Sequence, residues 1–256
     1  MKGRYRVLDC WISRTDPRRA SITAWSRRLN GSGGYVCFSN VHTVVSSRRD
    51  VRLRVITNRS LLSVPDGKPL AWLARQRRLA DVTQVAGPDF MLHFIETVKG
   101  ARHFFYGATP ETLERLVARL RQRYPYLIVA GCHAPPFRDL NQKETEDTLK
   151  AVREAGPDVI WVGLGAPKQE VWMARHWREL KPAVLFGVGA AFDIHAGRTV
   201  RAPGWMRRAG LEWLFRLLQE PRRLWKRYFV TNSLFLYYLA MNFLKKRLAS
   251  PLAYHG

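Results

Sequence analysis

The sequence predicts an α/β protein: a Rossmann-like, mostly parallel sheet with helices on both faces, followed by a basic helical appendage. Three observations carry this reading. From about residue 34, short β-rich apolar runs alternate with helix-patterned segments, the pattern of strand–helix–strand units. The alternation stops near residue 198. The remaining carboxyl-terminal segment has no strand-like run and is rich in Arg, Lys and aromatic residues. The expected division is therefore 1–198 as the α/β body and 199–256 as the helical appendage.

The elements come in order along the chain. "GYVCFSN" (34–40) reads as a strand and "VHTVVSSRRD" after it as a helix. Leu61, Leu62 and Val64 form a second apolar run that ends in "PDG". "RHFFYGA" (102–108) is a strand. In "TPETLERLVARLRQRYP" (109–125), Thr109 is the expected N-cap, Pro110 the first helical residue, and Leu113, Leu116, Val117 and Leu120 the apolar face. "YLIVAGC" is a strand, and "NQKETEDTLKAVREAGP" a helix stopped by Gly156-Pro157. "DVIWVGLG", "APKQEVWMARHWREL" and "AVLFGVG" then read as strand, helix and strand.

Composition narrows the function classes. The 256 residues carry 43 Lys+Arg against 20 Asp+Glu, a formal charge of +23. Such a surface attracts nucleic acid, anionic lipid or phosphorylated substrates. Cys10, Cys37 and Cys132 are scattered, which implies a reducing compartment without a disulfide framework. Cys37 and Cys132 flank apolar runs and are expected in the core. The basic opening stretch has no apolar h-region, so no signal peptide is expected. The longest apolar candidate, "FVTNSLFLYYLAMNFL" (229–244), falls short of the roughly 18 to 20 residues that span a bilayer and contains Asn232 and Asn242. It is expected to lie on a surface.

Ligands of open α/β sheets bind beyond the carboxyl ends of the strands. Four groups fall at such ends: Asn40 with His42, Asp66 with Gly67, "GLGAPKQE" (163–170) and "GVGAAFD" (187–193). "PDG" is a common turn; held at a strand end, Asp66 could equally serve as a general base. His42 alone fits a polar group at a helix start as well as a catalyst. "GLGAPKQE" is either a plain strand-to-helix turn or a place where Gly163 and Gly165 let backbone N–H groups approach a phosphate. It lacks P-loop spacing, and "GVGAAFD", with Gly189, lacks the third glycine of a dinucleotide fingerprint. No HExxH or DxD pattern is present, so no metal is expected.

In the tail, Leu211, Leu214, Leu218, Trp225 and Phe229 recur at helical spacing, with Arg216, Arg223 and Arg227 roughly opposite if Pro221 does not break the helix. This is either an amphipathic helix packed on the body or an interfacial helix on an anionic membrane, its arginines open to a lipid pyrophosphate.

"NVHTVV", "PDGKPLAWLAR", "VAGPDFM", "FFYGATPETLERL", "GLGAPKQE", "GVGAAFD" and "GLEWLFRLLQEPRRLWKRY" occur in this order, over about residues 34 to 240. In that combination the chain closely resembles the WecG/TagA/CpsF bacterial glycosyltransferases (glycosyltransferase family 26). The resemblance implies an inverting, metal-independent transferase without a cofactor. It would move a sugar from a UDP-sugar onto a polyprenyl-pyrophosphate-linked saccharide in surface polysaccharide synthesis, peripheral on the cytoplasmic face of the membrane. It assigns Asp66 as catalytic base and Asn40 to the acceptor and sugar. It places Gln169 and Asp193 at the nucleotide-sugar site, and Arg216 and Arg223 against the lipid diphosphate, with Lys226 or Arg227 as a third cation. Two positions depart from the family pattern: Phe38 stands where many members have Thr, and Gln84 where many have Arg. Hexose and glucuronate donors stay open beside N-acetylmannosamine, as do the acceptor linkage and a homo-oligomer. The rival classes are a nucleic-acid-binding protein, which lacks any helix-turn-helix, RNP, KH or zinc-finger pattern, and a non-catalytic membrane-associated scaffold.

Overall fold

The computed structural model describes residues 3–249, without the side chains of Arg223, Arg227 and residues 245–249. The chain opens with β1 (Arg4–Val7), β2 (Cys10–Ser13) and α1 (Pro17–Leu29), then β3 (Gly34–Ser39), α2 (Val41–Arg49), α3 (Val51–Arg59) and β4 (Leu62–Pro65). Next come α4 (Lys68–Gln76), α5 (Gly87–Thr97), β5 (Arg102–Gly107), α6 (Pro110–Arg123), β6 (Ile128–His133) and α7 (Gln142–Glu154). The remainder is β7 (Val159–Gly163), α8 (Lys168–His176), β8 (Val184–Gly187), α9 (Ala191–His195), α10 (Gly204–Ala209), α11 (Glu212–Gln219) and α12 (Pro221–Ala249).

Six strands form one parallel sheet in the order β4-β3-β8-β7-β5-β6. Crossovers between parallel strands are right-handed, so the direction of travel decides the face on which a helix lands. The steps β3→β4, β6→β7 and β7→β8 run one way, and their helices α3, α7 and α8 share one core with Tyr35, Ile160 and Leu185. The steps β4→β5 and β5→β6 run the other way, and α5 and α6 fill the opposite core with Phe105, Trp161 and Phe186. The expected α/β class and two-sided cover are therefore both present. The central strands β3 and β8 are buried throughout, which explains their unbroken apolar runs.

One sequence expectation changes, and one element carries no sequence expectation. β6 lies at the sheet edge and is mostly half-exposed, so Cys132 is exposed rather than part of the core, whereas Cys10 and Cys37 are buried. The amino-terminal stretch forms an antiparallel hairpin, β1–β2, which pairs Val7 with Cys10. Tyr5, Val7, Cys10 and Ile12 of this hairpin, Val44 and Val45 of α2, Leu70 and Ala74 of α4, and Phe235 of α12 make a further core beside the sheet.

The residues after 198 are helical, as the pattern predicts, but the buried stripe differs. α12 turns Leu224, Thr231 and Phe235 inward, while Leu218, Trp225 and Phe229 of the predicted apolar face are exposed. Pro221 starts α12 anew after α11, so the two segments do not share one helical phase. No described helix is long and apolar enough to cross a membrane.

Candidate active site

The carboxyl ends of the strands open into one cavity of about 1780 Å³. That exceeds the roughly 300 to 1,000 Å³ usual for one small-molecule site. Asn40, His42, Asp66, Gly163, Gly165, Gln169, Gly189, Asp193 and Arg216 all line it, brought together from separate strand ends and helices. The side chains of Arg223 and Arg227 lie outside the described residues. Lys226 is exposed and does not line the cavity.

Asp66 is fixed from every side. β4 ends at Pro65, and the Asp66 N–H donates to the Ser39 carbonyl at 2.9 Å, continuing the pairing with β3 for one residue. One carboxylate oxygen accepts from the Gly87 N–H at 3.2 Å, the other from the Asn40 amide at 3.4 Å. Gln84 donates to the Asp66 carbonyl at 2.7 Å. The residue in place of the more usual Arg thus braces the backbone of the carboxylate. Burial pushes the Asp66 carboxyl up to about 6, against the hydrogen bonds from Gly87 and Asn40; Glu212 raises it further and Arg216 lowers it. A carboxylate poised there can take a proton near neutral pH.

Asn40 has two tasks. Its side-chain oxygen caps α2 by accepting from the Thr43 N–H at 3.2 Å, which leaves its NH₂ for Asp66. His42 follows in the first turn of the same helix. Phe38, where a Thr is more usual, is buried and packs edge-on against Phe90 with ring centroids 5.4 Å apart.

Across the cavity, β7 ends in Gly163, and the turn through Gly165 (φ +76°) leads into α8. A Cβ on Gly163 would lie 2.6 Å from the Phe192 ring, so this glycine is required by packing. A Cβ on Gly165 would meet open space, so there the backbone conformation is the constraint. Gln169 is buried, and its NH₂ donates to the Gly187 carbonyl at 2.8 Å and to Glu170 at 3.0 Å. Its carbonyl oxygen has no partner and sits next to Gly189. Two acceptors on the nitrogen dictate the amide orientation, because a flip would set oxygen against oxygen. Glu170 stands in the same motif, but no sequence signal sets it apart; only the fold shows it to be buried against Gln169. Beyond it, Trp172 stacks on Tyr106 at 4.1 Å on the cavity wall.

Arg216 arrives on α11, an element with no buried residue. Arg201 ties this region to the body by a two-pronged pair with Asp89 (2.5 and 2.7 Å), and it also holds Glu212 at 3.1 Å. Arg207 adds a contact to Asp89 at 3.3 Å. No spacing in the sequence announces this set of ion pairs, since Asp89 and Arg201 meet only in the fold. Asp193 sits in the short α9 and lines the cavity; its carbonyl accepts from the N–H groups of Arg198 and Thr199. Among the described residues, no three His, Cys, Asp or Glu side chains group to hold a metal ion.

A family model described as "Glycosyl transferase WecG/TagA/CpsF family" matches residues 5–249. An N-acetylglucosaminyldiphosphoundecaprenol N-acetyl-β-D-mannosaminyltransferase of Bacillus subtilis (strain 168) is 33% identical over 167 residues, 64% of this chain and 62% of the relative. The similarly named protein of Bacillus spizizenii is 27% identical over 197 residues, 76% of this chain and 74% of the relative. That of Staphylococcus aureus (strain MW2) is 31% identical over 171 residues, 66% and 65% of the two chains. The match thus spans just under two thirds of the B. subtilis and S. aureus relatives.

Proposed function

The chain belongs to the WecG/TagA/CpsF glycosyl transferase family, and on that premise we propose that it moves a sugar from a UDP-sugar onto a polyprenyl-diphosphate-linked saccharide with inversion. Asp66 takes the proton of the acceptor hydroxyl. The freed oxygen attacks the anomeric carbon from the face opposite the leaving group. The bond from that carbon to the diphosphate breaks, and UDP departs with the electron pair. Asn40 steers the carboxylate, and the Gln169 carbonyl offers an acceptor to a donor-sugar hydroxyl.

The observation that carries this reading is Asp66 itself: a braced carboxylate, raised to about 6, facing a cavity large enough for two substrates. Lys168, Arg175, Arg198 and Arg216 line the same cavity and suit two diphosphates without a metal ion. The relatives' names specify N-acetylmannosamine transfer to N-acetylglucosaminyl diphosphoundecaprenol; that pair is the first to try, followed by UDP-hexoses and UDP-glucuronate. The test is transfer to a short-chain N-acetylglucosaminyl diphosphopolyprenol in the presence of EDTA. Transfer by the wild type and its loss in Asp66→Asn support the proposal. Undiminished turnover by Asp66→Asn removes the base, and chelator sensitivity removes the metal-free mechanism.

A further inference from the structure

On the body, α4 presents an outward face that the site chemistry does not use. Lys68, Trp72 and Arg75 on α4, and Arg78 just beyond its end, are exposed, Trp72 by 57%. Its inner face, Leu70 and Ala74, shares a core with Phe235 of α12, and Lys68 lies against Gly210 between α10 and α11. Hence α4 sits beside the carboxyl-terminal helices. Trp72, Trp213 (42% exposed) and Leu236 (66% exposed) all line the cavity, so its mouth is edged with apolar side chains from three separate helices.

We propose that α4 is a membrane-docking element of the body, seating the cavity mouth on an anionic bilayer together with α11 and α12. The proposal rests on the lipid-linked acceptor of the preceding section. A tryptophan flanked by cations on one amphipathic helix matches the interface, where the ring enters the headgroup layer and the cations meet anionic lipid. Charge argues against a second copy of the chain as the occupant. With +23 overall and Lys68, Arg75, Arg78 and Arg208 exposed along this edge, two copies would oppose like charges. Docking through α4 as well as the tail fixes the tilt of the cavity, so a lipid diphosphate enters without leaving the headgroup plane.

The experiment is sedimentation of the full chain with vesicles of mixed phosphatidylcholine and phosphatidylglycerol. Arg75→Glu/Arg78→Glu is compared with Arg115→Glu/Arg121→Glu, which makes the same charge change on exposed positions of α6. The α4 pair is expected to weaken binding by ~10-fold or more, since each surface cation contributes about 5-fold, and the α6 pair far less. Trp72→Ser weakens binding as well. The α4 pair retains transfer to a water-soluble acceptor, which shows that the fold and site are intact. Equal binding by the two charge-reversal pairs overturns the proposal while leaving the transferase reading in place. Failure of the wild type to bind anionic vesicles sinks both this proposal and the membrane setting of the reading. Loss of a dimer, with vesicle binding unchanged, assigns the face to a second copy and also overturns it.

Discussion

Asp66 and Arg216 meet one cavity from two regions built on different physics. Asp66 hangs from the sheet and is held by Ser39, Asn40, Gln84 and Gly87 over a core of fully buried aromatic side chains. Arg216 rides on α11, which buries no residue and is tied to the body through Arg201, Asp89 and Glu212. The sheet half is rigid because moving its carboxylate means breaking several hydrogen bonds at once. The helical half depends on partly exposed ion pairs, whose strength falls with salt. A braced carboxylate thus faces a cationic helix held by ion pairs, a division that would suit the proposed reaction, with a soluble donor on one side and a lipid acceptor on the other.

The strongest way to break the comparison is at its rigid end. Asp66→Asn keeps the size and can keep the Gly87 contact but removes the basicity. Turnover should fall on the order of 10²–10⁴-fold, with UDP affinity little changed. Steady-state transfer and UDP calorimetry separate the two quantities. An equal loss in both would mean that Asp66 holds substrate rather than a proton.

The next effect belongs to the ion-paired half. Arg201→Ala removes the link and leaves Asp89 and Glu212 without their shared cation. KM for the lipid acceptor should rise on the order of 10-fold with kcat altered less, and high salt should reproduce part of the rise in the wild type. Unchanged kinetics would place the anchorage of these helices in the α12 packing around Phe235.

How much of the molecule is legible in the sequence divides along the same line. Strand ends carry short motifs, so Asn40 and Asp66 stand out before any fold is known, while Gln169 is singled out only by the family resemblance. Their mutual approach depends on the strand order β4-β3-β8-β7-β5-β6, which puts β3 between β4 and β8 although well over a hundred residues of chain separate β3 from β8; no local pattern encodes that. The hairpin β1–β2 leaves little trace because each strand has only four residues and the core it packs into is assembled from α2, α4 and α12, far along the chain. The tail reads correctly as helical, but its phase does not. Trp225 and Phe229 have helical spacing from Leu218, yet the inward stripe is set by contact with α2 and α4, not by periodicity. Cys132 misleads for a related reason, since an apolar run does not show whether its strand is central or at the edge.

A smaller effect tests the floor of the rigid half. Glu170→Leu removes one of the two acceptors that hold the Gln169 amide, so the amide is freer to flip and present NH₂ to the donor sugar. KM for the UDP-sugar should rise several-fold, about 1 kcal/mol for a hydrogen bond of this kind, with UDP binding nearly unchanged. Glu170→Gln, whose carbonyl can still accept, should stay near the wild type. A thermal scan distinguishes this from general loosening: if Glu170→Leu lowers stability and both affinities together, the role is structural.

The finest test joins the two regions through charge alone. The raised Asp66 predicts that kcat/KM falls as pH drops through about 6, because protonation consumes the base. Arg216 lowers that value and Glu212 raises it. Arg216→Gln should therefore move the acid limb to higher pH and Glu212→Gln to lower pH, each by less than ~1 unit. Whatever either substitution does to binding, the position of the limb reports the field at Asp66. The same shift has a sign in stability. A folded value near 6 above the ordinary 3.8 means that the group favours folding when protonated, fully so below 3.8, and that this is lost as pH rises through 6. At neutral pH the charged carboxylate costs on the order of 2 kcal/mol, discounted because it still faces the open cavity. Asp66→Asn should then melt above the wild type at neutral pH and lose that advantage near pH 4. If instead the variant melts lower at every pH, the hydrogen bonds to Asn40 and Gly87 outweigh burial, and Asp66 is a structural turn residue rather than a strained base.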